Sequence, residues 1–370
     1  MKYYLIAGEA SGDLHGSNLM RSILQHDEHA EFRYWGGELM QEVGGSLAKH
    51  YRDLAIMGFI EVILNLNTVL KNIAFCKQDI DAYNPDVIIF IDYPGINLRI
   101  AKWAKQKGYK THYYISPQIW AWKEGRIKSI KQNVDAMYVI LPFEKSFYEE
   151  KHNYPVNFVG HPLIDAIAAH NQITPQEFND KHGLDNRPII AVLPGSRKQE
   201  ISKMLEVMLS VVDDFTDYQF VIAGAPSQDP EFYQQFIGNE RVHLVMNQTY
   251  DLLSLSNAAL VTSGTATLEA ALFKVPQVVC YKGSSISYEI AKRIVNLDYI
   301  SLVNLIMNKP VVTELIQKDF NSKRLKEELS VITDGYKRAV MFLDYYDLEQ
   351  ELGGKGASDK TARLIVASVS

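Results

Sequence analysis

The residues best suited to chemistry in this chain are carboxylates placed where an apolar run stops. In PDVIIFIDYPGIN the run Val87–Ile91 leads straight into Asp92. A carboxylate closing a buried strand has its charged form disfavoured, which raises its pKa and turns a feeble base into one able to take a proton near neutral pH. The plainer reading is an Asp capping the turn at Tyr93-Pro94-Gly95. Two further acids stand at the start, where MKYYLIAGEASGD breaks at Gly8 and sets Glu9 and Asp13 on either side of Ser11. The following LHGSNLMRSILQH has apolar residues at helical spacing, so this turn joins a strand to a helix. Open α/β sheets bind ligands at such turns. Asp13 also suits a structural part as a helix cap.

Anion binding points to the second half. The glycines Gly8, Gly12 and Gly16 are spaced by four, which fits neither a P-loop nor the dinucleotide fingerprint. By contrast, PGSRKQE follows the strand-like IIAVL, and SGTATLEA follows AALVT. The amides of Ser263, Gly264 and Thr265 would open a helix, and a helix N-terminus is an anion site suited to a diphosphate. Glu269 could accept from ribose hydroxyls, and Arg197 adds a fixed cation for phosphate oxygens. The bland alternative is Thr265 as an N-cap and Arg197 as surface. In SPQIWAWKEGR, Trp120 and Trp122 either line a cleft or fill the core. No metal is expected: the histidines lack ligand spacing, and Asp79-Ile80-Asp81 reads as solvated helix surface.

The elements that must position these groups repeat in two halves. Apolar, β-branched runs alternate with amphipathic segments through KYYLIAG, FRYWGG, DVIIFIDYP, KTHYYIS, DAMYVILP and VNFVGHP. After the polar HNQITPQEFNDKHGLDNRP the pattern restarts with PIIAVLPGSR, YQFVIAGAP, RVHLVMN, AALVTSG and VPQVVCY. This is the signature of helix-covered parallel sheets. The expectation is an α/β chain of two Rossmann-like, doubly wound domains facing a cleft, at 1–165 and 186–335. Past Pro310 the chain reads as mostly helical, and helices at 336–370 are expected to cross between the domains and pack back on the first. With 370 residues there is ample chain for two cores.

Charge and cysteines narrow the function. The balance of 38 basic and 44 acidic residues gives −6, with the basic residues scattered, so nucleic acid is not an expected partner. The apolar run after Lys2 is cut short by Glu9, which argues against a secretory signal peptide. The cysteines Cys76 and Cys280 read as buried, reduced thiols of a cytoplasmic protein. No run is long enough for a membrane span.

Taken in order, AGEASGD, the Asp92 segment, SPQIWAWKEGR, LPFEKSFY, VGHP, LPGSR and SGTATLEA make the chain resemble lipid-A-disaccharide synthases, over most of its length. The resemblance implies a GT-B glycosyltransferase without a cofactor. It would join UDP-2,3-diacylglucosamine to 2,3-diacylglucosamine 1-phosphate (lipid X), giving a β-1′,6-linked disaccharide 1-phosphate and UDP. By motif, Asp92 matches the acid the family needs for catalysis. Arg197, Ser263, Gly264, Thr265, Glu269 and Asn304 fall in its nucleotide-side motifs, while Glu9, Ser11, Asp13 and Trp122 fall on the acceptor side of the cleft. Two departures stand out: Gly95 replaces a second acid of the family's I-D-A-P-D-F-N, and Val303 replaces the proline of S-L-P-N before Asn304. The change from α-linked donor to β product implies inverting displacement with Asp92 as base. Two rivals are an epimerase-like isomerase of UDP-N-acetylglucosamine, which needs no acceptor, and a solute-binding protein, which would need an export signal. Phe59, Ile63, Leu66, Leu70 and Ile73 recur at helical spacing in MGFIEVILNLNTVLKNIAFCK, so this helix either touches the cytoplasmic face of the inner membrane and the acyl chains or packs on its own sheet.

Overall fold

The computed structural model describes residues 1–54, 66–283 and 298–369. The chain divides into two compact units, Met1–Ala166 with Leu352–Ser370, and Ile167–Glu351.

In the first unit the strands are β1 (Lys2–Ala7), β2 (Glu31–Gly36), β3 (Ser46–His50), β4 (Val87–Ile91), β5 (Lys110–Tyr114), β6 (Ala136–Val139) and β7 (Asn157–Phe158). They pair in parallel in the order β3-β2-β1-β4-β5-β6-β7. Helices cover the sheet on both faces, so Tyr3–Ala7 and Val87–Ile91 are wholly buried and read as unbroken apolar runs. The order reverses between β1 and β4, which makes their carboxyl ends the expected ligand position. The register sets Ala7 opposite Ile91, so Gly8 and Asp92 leave the sheet side by side.

The second unit repeats the plan with β8 (Ile189–Leu193), β9 (Gln219–Gly224), β10 (Val242–Met246), β11 (Ser256–Thr262), β12 (Gln277–Tyr281) and β13 (Thr313–Ile316), ordered β10-β9-β8-β11-β12-β13. Here the reversal falls between β8 and β11, whose register aligns Leu193 with Val261.

Several sequence expectations need correction. The edge strands β3 and β13 were not foreseen: SLAKH is short and half exposed, and TELI lies in a stretch read as helical. The helix Tyr336–Glu351 counts with the second unit, where Lys274 Nζ meets Glu349 Oε2 at 2.5 Å and the buried Gln277 Nε2 donates to Tyr345 Oη at 3.3 Å. Only the segment from Leu352 onward joins the first unit: the Asp165 carboxylate accepts from Gly356 N and Ser358 N at 2.6 and 3.0 Å. Asp79 is not solvated surface, since Arg33 and the Tyr4 hydroxyl both donate to it.

Phe59 and Ile63 lie outside the described residues, as does the side chain of Leu66. In the described helix Leu66–Tyr83 the expected stripe splits, with Ile73 in the core and Leu70 exposed; Cys76 and Ile80 join Ile73 in the core, and Phe75 is exposed like Leu70.

Asp13 is the largest correction. It is 2 % exposed, and its carboxylate accepts from Gly37 N at 2.7 Å, Leu39 N at 3.0 Å and Met40 N at 3.1 Å. It therefore caps a different helix from its own, Glu38–Val43, and is a brace rather than a group available to substrate. Asp13→Ala leaves three amides without this acceptor, two of them in buried bonds, and should cost about 3 kcal/mol, read as a lowered denaturant midpoint with an unchanged m-value.

Candidate active site

At the end of β4 the backbone enters a left-handed corner, with φ of 42° at Asp92 and 47° at Tyr93, before the helix Pro94–Gln106 begins. The Tyr93 ring fills the space over Gly8: a Cβ on that glycine would lie 2.3 Å from Tyr93 Cγ. The first glycine of the opening turn is thus a seat for the ring beside Asp92. Asp92 does not cap the following helix, whose N-cap is Tyr93 with no side-chain cap bond. Burial pushes its carboxyl up to about 7, helped by the charges of Glu9 and Glu144 and opposed by the Tyr93 amide. Glu9 is exposed at the N-cap of the helix Ala10–His26, and Ser11 is exposed in its first turn. Asp92 and Glu9 therefore come together in the first unit, while Asp13 is engaged elsewhere.

Glu144 escaped the sequence reading. It is 1 % exposed and accepts four hydrogen bonds, from Ser116 Oγ (2.6 Å), Trp120 Nε1 (3.2 Å), Ile140 N (3.1 Å) and Leu141 N (3.0 Å). It ties the loop after β5 to the end of β6. Burial raises its carboxyl and these donors pull it back. The signal was present in LPFE, a proline opening a helix with Glu two positions on, where its side chain can reach back to the N-cap amide of Leu141. Trp120 is held in this network, whereas Trp122 is exposed, with Lys123 Nζ 3.9 Å from its ring centre.

In the second unit, register brings the two small-residue turns together: a Cβ on Gly195 would lie 3.2 Å from Thr262 Cγ2. Two helices open there, Lys198–Met208 and Thr265–Leu272, with N-caps Arg197 and Gly264. Their unsatisfied amides and positive ends make the switch point suited to an anion. Gly264, with φ of 147°, and Thr265 are exposed. The Arg197 side chain is exposed and pairs with Glu200 at 3.0 Å. Glu269 accepts from Tyr250 Oη at 3.2 Å, and burial raises its carboxyl against that bond.

Asn304 departs from the expectation of a nucleotide contact. It is 1 % exposed; Nδ2 donates to Val312 O and Glu314 Oε1, both at 2.9 Å, and Oδ1 accepts from Val312 N. Glu314, also missed, accepts from Ile300 N and Ser301 N, and Ser263 Oγ donates to Ile300 O at 2.8 Å. Asn304, Glu314 and Ser263 together brace the 300–301 segment against the anion turn. Among the described residues no cluster of three or more His, Cys, Asp or Glu is arranged to hold a metal.

Comparison with known proteins places this geometry. Residues 3–366 match the family described as lipid-A-disaccharide synthetase. The lipid-A-disaccharide synthase of Syntrophus aciditrophicus is 37 % identical over 99 % of this chain and 97 % of its own length, and that of Geobacter metallireducens is 35 % identical over 98 % and 96 %. Among solved structures, the Staphylococcus aureus MnaA–UDP complex superposes with a TM-score of 0.68 at 15 % identity, covering 99 % of this chain and 94 % of that one. The glycosyltransferase of kitacinnamycin gives 0.66 at 12 % identity, over 100 % and 99 %. These likenesses show the two-Rossmann-domain GT-B fold. With the family matched from end to end, the chain belongs to the lipid-A-disaccharide synthases, glycosyltransferases of lipid A biosynthesis.

Proposed function

We propose that the chain transfers the sugar of UDP-2,3-diacylglucosamine to the 6-hydroxyl of 2,3-diacylglucosamine 1-phosphate, by a single inverting displacement. The observation that carries this reading is Asp92, a partly buried carboxylate raised to about 7 at the switch point of the first unit. Asp92 takes the proton of the acceptor hydroxyl as its oxygen bonds the anomeric carbon; the bond to UDP breaks on the opposite face, so α becomes β. UDP leaves as a stable anion and needs no acid. The amides at 263–265 and the Arg197 guanidinium, released from Glu200, stabilise the charge developing on the diphosphate. Glu269 takes the ribose hydroxyls. Asn304 serves this site as a brace.

The test is the product. With both acylated substrates, mass spectrometry should find the disaccharide 1-phosphate, and UDP should be released only when acceptor is present. Turnover of the UDP-sugar alone would point instead to an isomerase of the same fold.

Asp92→Asn should abolish turnover while UDP-sugar affinity, measured calorimetrically, stays near wild type. In the wild type, kcat/KM should rise tenfold per pH unit up to about 7 and then level. The same shift bears on stability. Asp92 binds its proton more tightly folded than unfolded, so its contribution is full below the unfolded value and is lost as pH rises through about 7. Asp92→Asn should therefore gain stability relative to wild type between pH 4 and pH 8, by at most about 4 kcal/mol.

Substrates bearing fatty acyl chains also suggest work at the inner membrane's cytoplasmic face. No helix among the described residues is long and apolar enough to cross a membrane. Leu70 and Phe75, exposed beside Lys71 and Lys77, suit a surface contact. Changing Leu70 to Ser should leave Tm nearly unchanged yet weaken binding to anionic vesicles and raise KM for acylated substrate. Unaltered vesicle binding would remove this face from the membrane reading.

A further inference from the structure

Backbone strain in the first unit gathers around Asp92. Asp92 and Tyr93 are adjacent left-handed residues, and Ile115, the β-branched residue just past the neighbouring β5, has φ of 64°. Non-glycine residues in this region cost on the order of 1–3 kcal/mol each and persist only where the surroundings over-determine them.

Those surroundings can be named. The Asp92 carbonyl accepts from Asn97 Nδ2 at 2.8 Å and from Tyr113 Oη at 2.5 Å. Asp92 N donates to Tyr114 O at 3.1 Å, and the Tyr93 ring sits over Gly8. Both donors to the carbonyl are wholly buried. Asn97 Nδ2 also lies 3.4 Å from Ile6 O and 3.3 Å from Ile91 O, so one amide spans the ends of β1 and β4 together with the corner beyond them. Among the described residues its Oδ1 has no hydrogen-bond partner. A buried asparagine with an unsatisfied oxygen carries a desolvation cost that an apolar residue would avoid, so its value to the protein lies in what Nδ2 holds.

We infer that Asn97 and Tyr113 are positioning residues for Asp92: by gripping its carbonyl they hold the left-handed corner that fixes where its carboxylate stands. The inference rests on the reading of Asp92 as the base. Among the described residues, the titratable groups that act on that carboxylate or respond to it are Glu9, Glu144 and Tyr113, with Tyr93 adjoining through its amide, and neither Asn97→Leu nor Tyr113→Phe removes a charge from the set. A lost grip lets the corner relax, and a shift of about 1 Å in a catalytic group can cost on the order of 100-fold in rate.

The test compares Tyr113→Phe, which deletes one hydroxyl, with Asn97→Leu, each alone and combined with Asp92→Asn. The expected result is a 10- to 100-fold fall in kcat per UDP-binding molecule, with KM for the UDP-sugar within about twofold of wild type. Whatever trace of turnover Asp92→Asn retains should not be lowered further by either change, because both act through that residue. Should Asn97→Leu fail to fold, Tyr113→Phe decides. A purely structural role would lower Tm and the fraction of active enzyme while leaving kcat per active molecule and the pH profile intact, which overturns the inference. Turnover lost in Asp92→Asn but retained in Tyr113→Phe and Asn97→Leu overturns it alone; wild-type turnover in Asp92→Asn overturns the base reading and the inference with it.

Discussion

The pairing of β1 with β4 is the constraint on which the first unit's chemistry depends. Both strands are buried on both faces, so a slip of one residue would turn each apolar side chain toward the wrong layer, and the register is firmly set. Ala7 opposite Ile91 then leaves Gly8 beside Asp92. From that one alignment follow the seat of the Tyr93 ring, the approach of Glu9 and the reach of Asn97 across both strand ends.

The second unit solves a different problem with the same topology. Its switch point offers amides and helix ends for an anion, so what it must hold steady is backbone rather than a carboxylate. Glu314 on the edge strand β13 and the buried Asn304 fasten the 300–301 segment, and Ser263 in the anion turn bonds to that segment in turn. A residue that its motif would place on the nucleotide can thus act one step away, by fixing the segment beside the anion turn.

Much of this was legible in the sequence. The central strands announce themselves because double burial removes polar residues from them, and the small-residue turns stand out because they interrupt such runs. Asp92 was visible for the same reason. What escaped was long-range: Asp13 and Glu144 look like ordinary acids until the fold brings them distant donors, the amides of Gly37, Leu39 and Met40 in one case and the side chains of Ser116 and Trp120 in the other. The edge strands β3 and β13 escaped because pairing on one side only leaves their sequences free to be polar.

The contrast between Asp92 and Asp135 shows how the fold sets a carboxylate's proton affinity. Both flank the apolar interior of the same sheet, Asp92 just after β4 and Asp135 just before β6. Burial acts against the charge of Asp135, yet Lys105 and the amide and hydroxyl of Thr111 hold it below the usual carboxylate range. Asp92 receives two strong donors as well, but they go to its carbonyl, and its carboxylate is met by the Tyr93 amide and feels the charges of Glu9 and Glu144. Positioning and charge are thereby separated. The backbone of Asp92 is fixed by neutral groups that leave the proton affinity of the carboxylate alone, whereas a lysine in the same place would have fixed the side chain and lowered that affinity at once. A residue that must stand still and still accept a proton near neutral pH is best held by its main chain, and the left-handed corner is the conformation that turns its carbonyl toward Asn97 and Tyr113.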